Sequence, residues 1–282
     1  MNKKKTLLNL RDRNDRMLLA GIVITAVITL AAIVLPFFMT YGPNDTDPSI
    51  RLTPVFTDAS HLLGTDAIGR DMLARILSGV RTSLIVSVCA VAIGMVLGVI
   101  LGIVAGFSNS IADTIIMRLA DIQMGLPFIV LAIIVLTLTK PTILTVTLVL
   151  SLSIWPGYAR SVRANVLLQK NMEYITEAKL LGASKWRIYT KYVGVNLIPS
   201  FLPLIPLDIA GMIINESLLS FMQLGIKPPR ISIGSMMADA MGYISTDAWY
   251  ITTPGIVILI LILGLNFIGD SLQIRMNSKL NR

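Results

Sequence analysis

Charged side chains set inside long apolar runs are the residues of this sequence with chemistry to offer. Arg118 and Asp121 stand three positions apart, and Asp208 and Asn215 stand seven apart with Glu216 beside the latter. On a helix both spacings put the two side chains on one face. At membrane depth an ionisable group faces a bundle interior or a wet cavity, or pairs with another. Arg118, Asp121, Asp208, Asn215 and Glu216 are therefore candidates for a translocation path or an inter-subunit contact, with structural pairing as the alternative. Asp113, near the start of its run, reads as a solvated residue.

Catalysis finds no comparable set. His61 is the only histidine, in a polar stretch, and Cys89 the only cysteine, in an apolar one. An intramembrane protease needs a nucleophile with its base, or a metal. The sequence has no HExxH, no GxSxG and no carboxylates at metal-ligand spacing, so no metal site and no catalytic residues are expected. It also lacks the GxxxxGK[ST] phosphate loop, so this chain should not bind ATP itself. His61 reads as structural. Cys89 has no partner for an intrachain disulfide and reads as a small buried packing residue.

The elements that must hold these side chains are helices in lipid. Hydrophobic residues make up 54% of the 282 and charged residues only 14%, with a mean hydropathy of +0.76. Soluble chains carry about 25% charged residues. A crossing helix needs about 20 apolar residues, and six runs qualify: 17–40, 82–106, 111–139, 142–159, 197–224 and 248–269. Pro36 lies near the end of the first run, Pro127 breaks the third, and Trp155-Pro156 lies near the end of the fourth. Backbone groups in lipid must be satisfied within the segment, which makes all six helices. The first run exceeds the apolar core of a signal peptide and no small-x-small site follows it, so it reads as a retained helix.

Orientation follows from the basic residues. With the N-terminus inside, 16 of the 24 Lys and Arg fall on the cytoplasmic side, seven outside, and Arg118 within a span. Cytoplasmic loops carry this excess. The expected organisation is a basic tail over 1–16, a first helix over 17–40, an extracytoplasmic loop over 41–81, a five-helix core over 82–270 and a tail over 271–282. A net charge of +8, placed beside apolar spans, points to membrane lipid and not to nucleic acid.

Two further patterns stand out. Gly94, Gly98, Gly102 and Gly106 recur every four residues, so one face of the second span lets another helix approach closely. The segment 171–196 is too long for a simple turn. In it Tyr174, Ile175, Ala178 and Leu181 recur at helical spacing, Gly182 is a natural helix stop, and Ser184 can cap a second helix. Two short helices with a glycine elbow make a docking knob for a soluble partner, or else a helix lying on the membrane surface.

Several short patterns, in order, resemble the permease subunits of ATP-binding-cassette importers of the dipeptide, oligopeptide and nickel group. They are His61-Leu62-Leu63-Gly64-Thr65-Asp66 with Gly69-Arg70-Asp71, and Met117-Arg118-Leu119-Ala120-Asp121 followed by Pro127. Others are Trp155-Pro156-x-Tyr158-Ala159-Arg160-x-x-Arg163, Ser220-Phe221 with Leu224-Gly225-Ile226-x-Pro228-Pro229, and Asn266-Phe267-x-Gly269-Asp270. The 171–196 segment is similar to that group's coupling loop, E-A-A-x-x-x-G with a distal I-x-L-P. Ala178 and Gly182 match it. Thr176 and Glu177 stand at the first Glu and Ala, and Tyr192, Gly194 and Val195 replace the distal Ile, Leu and Pro.

The resemblance implies an all-α type I importer permease of six transmembrane helices in the bacterial cytoplasmic membrane. On this resemblance it would be the shorter, second permease of a heterodimeric pair. Its implied partners are a second permease chain, two cytoplasmic ATPases that carry ATP and Mg, and an extracytoplasmic substrate-binding protein. Glu177, Ala178, Gly182, Ala183 and Ser184 are the implied coupling residues. Short peptides are the expected cargo and nickel or a metal chelate the alternative. Outside the group, an ion-coupled secondary transporter would use Asp208 and Glu216, but no inverted repeat accompanies them.

Overall fold

The computed structural model describes residues 12–108 and 111–280, so residues 1–11 of the basic tail expected over 1–16 lie outside the described residues, as does Arg282. Helices in chain order are α1 (Arg13–Val34), α2 (Met72–Phe107), α3 (Ile111–Gly125), α4 (Phe128–Leu138), α5 (Ile143–Gln169) and α6 (Glu173–Leu180). Next come a single turn α7 (Lys185–Arg187), a π-helical stretch over Ile188–Gly194, α8 (Val195–Phe201), α9 (Leu204–Phe221), α10 (Ile233–Ala240) and α11 (Trp249–Leu280). Among the described residues α1, α2, α5, α9 and α11 are long and apolar enough to cross a membrane. The pair α3–α4, bent by 93°, makes a sixth span if counted as one.

Several helix limits differ from the hydropathy reading, each for a local reason. The first helix starts at Arg13, because Asp12 caps it by accepting from the Asn14 N–H, and its α-helical part stops before Leu35-Pro36. The second begins at Met72, ten residues early. There Asp71 Oδ1 accepts from the Ala74 N–H at 2.7 Å, and helix forms through Arg75 and Arg81 although hydropathy there is low. The loop expected over 41–81 therefore ends at Asp71. The fourth runs on to Gln169, straight through Pro156. The fifth is divided, as α8 and α9, at Leu202-Pro203.

The chain forms two compact units, residues up to 85 together with 203 onward, and residues 86–202. In the first, α1 lies along α11, with Gly21 directly against the Gly264 carbonyl. Arg275 pairs with Asp15 at 2.5 Å and Asn14 Nδ2 donates to the Ser271 carbonyl at 3.2 Å. Met72, Ile76 and Val80 of α2 are buried with Ile213 of α9, Ile233 and Met236 of α10 and Tyr250 and Leu261 of α11. The start of α10 is set by a capping box between Ser232 and Ser235.

In the second unit the glycine face of α2 meets α5. A Cβ on Gly98 would stand 2.6 Å from both the Trp155 carbonyl oxygen and Tyr158 Cβ, and one on Gly102 2.6 Å from the Ala159 carbonyl oxygen and Val162 Cβ. Gly94 and Gly106 meet Ser151 and Val166 in the same way. Only hydrogen fits along this seam. Cys89 lies off this seam on an exposed face of α2, which corrects its reading as a buried packing residue. Gly98→Ala should lower the stability of the purified chain by about 1–3 kcal/mol. Gly157→Ala on α5, whose added methyl meets nothing within 4 Å, should leave stability unchanged or raise it. Thermal unfolding in detergent separates the two, and equal melting would show that the seam is not tight.

Candidate functional site

Pro156 lacks the N–H that would bond the Leu152 carbonyl. Gln123, at the end of α3, supplies the missing donor: its Nε2 donates to that carbonyl, while its Oε1 accepts from Trp155 Nε1 at 2.8 Å. One amide thus repairs the proline break and holds an indole. Beside it a cavity of about 200 Å³ opens under the α3–α4 bend, lined by Gln123, Met124, Phe128, Leu131, Ser153 and Pro156. Gln123 was not among the residues singled out by sequence. Its signal was its place one helical turn before the Pro127 break, facing a helix with a proline of its own.

The expected neighbours Arg118 and Asp121 do not pair. Asp121 reaches across to Arg160 of α5 at 2.6 Å, with both side chains about half exposed, and Arg118 is exposed. Asp113 is partly exposed, as a solvated residue would be, but it is also paired. Arg163 grips it with two bonds, Nε to Oδ1 at 2.5 Å and Nη2 to Oδ2 at 2.6 Å. Two ion pairs thus tie α3 to α5. A cross-helix partner lies tens of residues away in the chain, which helical spacing does not register.

Asp208 and Asn215 are half-buried on α9. Glu216 has 0% exposure. Ser83 of α2 donates to its Oε2 at 2.6 Å and Ser220 to its Oε1 at 2.7 Å, and the Ser220 hydroxyl also accepts from the Ile226 N–H at 3.2 Å. Hydroxyls surround this carboxyl. It staples α2, α9 and the chain leaving α9 to one point.

His61 is buried, its Nδ1 2.8 Å from Asp71 Oδ2 and its ring against Tyr41 with centroids 4.5 Å apart. The pair fixes the loop to the cap of α2. Four charges gather nearby. Asp66 takes Arg70 Nε at 2.5 Å and lies 3.4 Å from Arg75 Nε. Asp239 takes Arg75 Nη2 at 3.3 Å and lies 3.8 Å from Arg70. Burial pushes the Asp239 carboxyl above the ordinary range, against the pull of Arg75 and Arg70.

The 171–196 segment closes on a glycine. Gly182 has φ +78, its N–H bonds the Lys179 carbonyl at 3.0 Å, and the Ala183 N–H bonds the Ala178 carbonyl at 2.9 Å. These are the two bonds of a Schellman turn, which needs a left-handed residue. Ser184 Oγ accepts from the Arg187 N–H at 3.3 Å and so caps α7. Ile175 and Ala178 are buried as the spacing predicts. Leu181 is 88% exposed, because the turn swings it out of the apolar face. Leu180 and Trp186 join it on the surface at 83% and 75%, beside exposed Glu177. The elbow thus presents an apolar knob that includes Leu181, which periodicity alone assigned to the inner face. The segment is anchored by Tyr189 against Phe107, ring centroids 4.4 Å apart, and just before it Lys170 Nζ donates to the Gly106 carbonyl at 3.3 Å.

Replacing Glu216 should separate charge from packing. Glu216→Ala strands two buried hydroxyls and leaves a cavity, and should cost on the order of 3 kcal/mol. Glu216→Gln keeps one acceptor and the volume, and should cost less. Thermal unfolding of the three proteins checks the order; indistinguishable melting would mean the serine cage contributes nothing.

Comparison with known proteins agrees with this architecture. Residues 98–282 match the family profile described as binding-protein-dependent transport system inner membrane component. Residues 11–54 match the N-terminal TM domain of oligopeptide transport permease C. The chain is similar to the dipeptide transport system permease protein DppC of Haemophilus influenzae, with 31% identity over 96% of this chain and 93% of that one. It is also similar to the di/tripeptide transport system permease protein DppC of Pseudomonas aeruginosa, at 33% over 93% and 88%. A third relative is the oligopeptide transport system permease protein OppC of Bacillus subtilis, at 32% over 97% and 89%. A chain of the inward-facing MetNI methionine ABC transporter shares the fold, with a TM-score of 0.56 at 20% identity over 75% of this chain and 98% of that one. The mainly helical architecture is thus that of a type I ABC importer permease. With these spans, this fold and relatives aligned over nearly the whole length, the chain belongs to the family of inner membrane components of binding-protein-dependent transport systems.

Proposed function

We propose that this chain forms half of the translocation pathway of an ATP-driven importer of short peptides. The observation that carries the reading is full-length similarity to permeases named for dipeptides, di/tripeptides and oligopeptides. ATP and Mg bind two cytoplasmic ATPase partners, a second permease completes the path, and an extracytoplasmic binding protein delivers cargo. The chain itself performs no hydrolysis. Both ends lie in the cytoplasm, in keeping with the bias of Lys and Arg. That orientation puts the α6 elbow on the ATPase side and the 41–71 loop outside.

In this reading Glu177, Ala178, Gly182, Ala183 and Ser184 form the elbow that meets the ATPase, with Leu180, Leu181 and Trp186 as its apolar contact. Exposed apolar side chains gathered on one surface mark an interaction site. Closure of the ATPases moves the elbow, and the helices switch between outward- and inward-facing states that both sites bias. Arg118, Asp121, Asp208 and Asn215 are the polar groups available to the path, and Glu216 holds its helices in register.

Uptake tests the cargo. Cells lacking this chain should lose uptake of labelled di- to pentapeptides and regain it when the gene is restored, while nickel uptake stays unchanged. Loss of nickel uptake alone would refute the peptide reading. Gly182→Leu tests the elbow. A left-handed leucine costs about 1–2 kcal/mol, so the turn rearranges and the knob is misplaced. The variant should reach the membrane and keep ATP hydrolysis in the assembled transporter while uptake falls at least tenfold. Normal uptake by a well-expressed variant would remove the elbow from the mechanism.

A further inference from the structure

Beyond the helix ends of the first unit lies a cavity of about 120 Å³, between the chain that leaves α9 and the start of α2. Arg70, Arg75, Lys227 and Arg230 line it, against one carboxylate, Asp239. Arg75 is the deepest, 3% exposed. Asp66 and Asp239 balance Arg70 and Arg75. Among the described residues neither Lys227 nor Arg230 has an ion-pair partner, and both are exposed. The wall therefore carries two cations in excess.

The loop that bears this excess is held in place. Asn44 Nδ2 donates to the Pro229 carbonyl at 3.2 Å, the Ile226 N–H donates to Ser220 at 3.2 Å, and the Arg230 N–H turns back to the Lys227 carbonyl at 3.2 Å. A basic site already ordered loses little entropy when it meets an anion. A space of this size is ample for a carboxylate group.

We propose that this cavity is the docking site for one acidic side chain, Asp or Glu, of the extracytoplasmic binding protein. The proposal rests on the importer reading, whose topology puts these helix ends outside. A carboxylate entering the cavity would meet guanidinium donors below and Lys227 and Arg230 at the rim. Charge-assisted bonds of this kind fix the orientation of a partner, and rim charges set its rate of capture. Arg75 and Arg70, already held by Asp66 and Asp239, would form a preorganised floor. The site would thus define the register in which the loaded binding protein meets this half of the transporter.

The test uses the complete transporter in lipid nanodiscs, titrated with the peptide-binding protein produced by the same cells. Lys227→Glu combined with Arg230→Glu should weaken association about tenfold or more and flatten its dependence on salt. Lys227→Arg with Arg230→Lys should bind like the unaltered transporter, and basal ATP hydrolysis should show that each variant is assembled. Unchanged affinity after charge reversal overturns the proposal. A loss seen only when the bound peptide has a free C-terminal carboxylate, and absent with the amidated peptide, assigns the anion to the cargo and also overturns it. If no binding protein associates with the unaltered transporter, it is the importer reading itself that fails.

Discussion

Inside hydrocarbon no water takes up a stray hydrogen bond, and each polar group left alone costs several kcal/mol. Pro156 creates such a group by freeing the Leu152 carbonyl within α5. Gln123 satisfies it from the neighbouring helix and holds Trp155 with the same amide. The place where α3 ends and bends toward α4 is thereby tied to the one interruption in α5. Glu216 shows the same constraint in the first unit, where Ser83 and Ser220 take its two oxygens. In both places side chains from neighbouring helices satisfy what would otherwise be stranded.

Once those groups are satisfied, proximity of backbones decides the packing. Lipid tails are as apolar as leucine, so apolar side chains alone give helices little reason to associate. The α2–α5 seam answers this with four glycines that bring α2 against the carbonyls of Ser151, Trp155 and Ala159. Two ion pairs, Asp113–Arg163 and Asp121–Arg160, fasten α3 to the same helix. α5 is consequently a common post against which α2 and α3 are both located. Helices fixed in this way shift as bodies and do not deform continuously.

The elbow instead leaves apolar side chains exposed. Its backbone is closed by a Schellman turn, so its shape does not depend on a partner. Its inner face is held by Ile175 and Ala178, and its outer face carries Leu180, Leu181 and Trp186. A rigid knob keeps the entropy of ordering low when it is engaged. The cavity between the chain leaving α9 and the start of α2 exposes charge in place of apolar surface.

Local physics alone made much of this legible. Apolar runs longer than a bilayer is thick announce spans, a four-residue glycine repeat announces close packing, and Gly182 with Ser184 announces a turn between two short helices. Each of these signals resides in neighbouring residues, so one chain suffices to read it. Partnerships across the fold were not legible. Asp121 finds Arg160 and not Arg118, Asp113 is gripped by Arg163, and Cys89 faces outward. Helix α5 passes through Pro156, and α2 begins just after Asp71 because a cap and two aspartates offset its polar start. In every one of these cases the deciding atom comes from a residue distant in sequence, or from a capping geometry that hydropathy does not sense. Element type and membrane class were determined by the sequence itself, whereas which polar group meets which was decided only when the helices packed, because satisfaction of a charge or carbonyl depends on what stands within about 3 Å and not on what stands next in the chain.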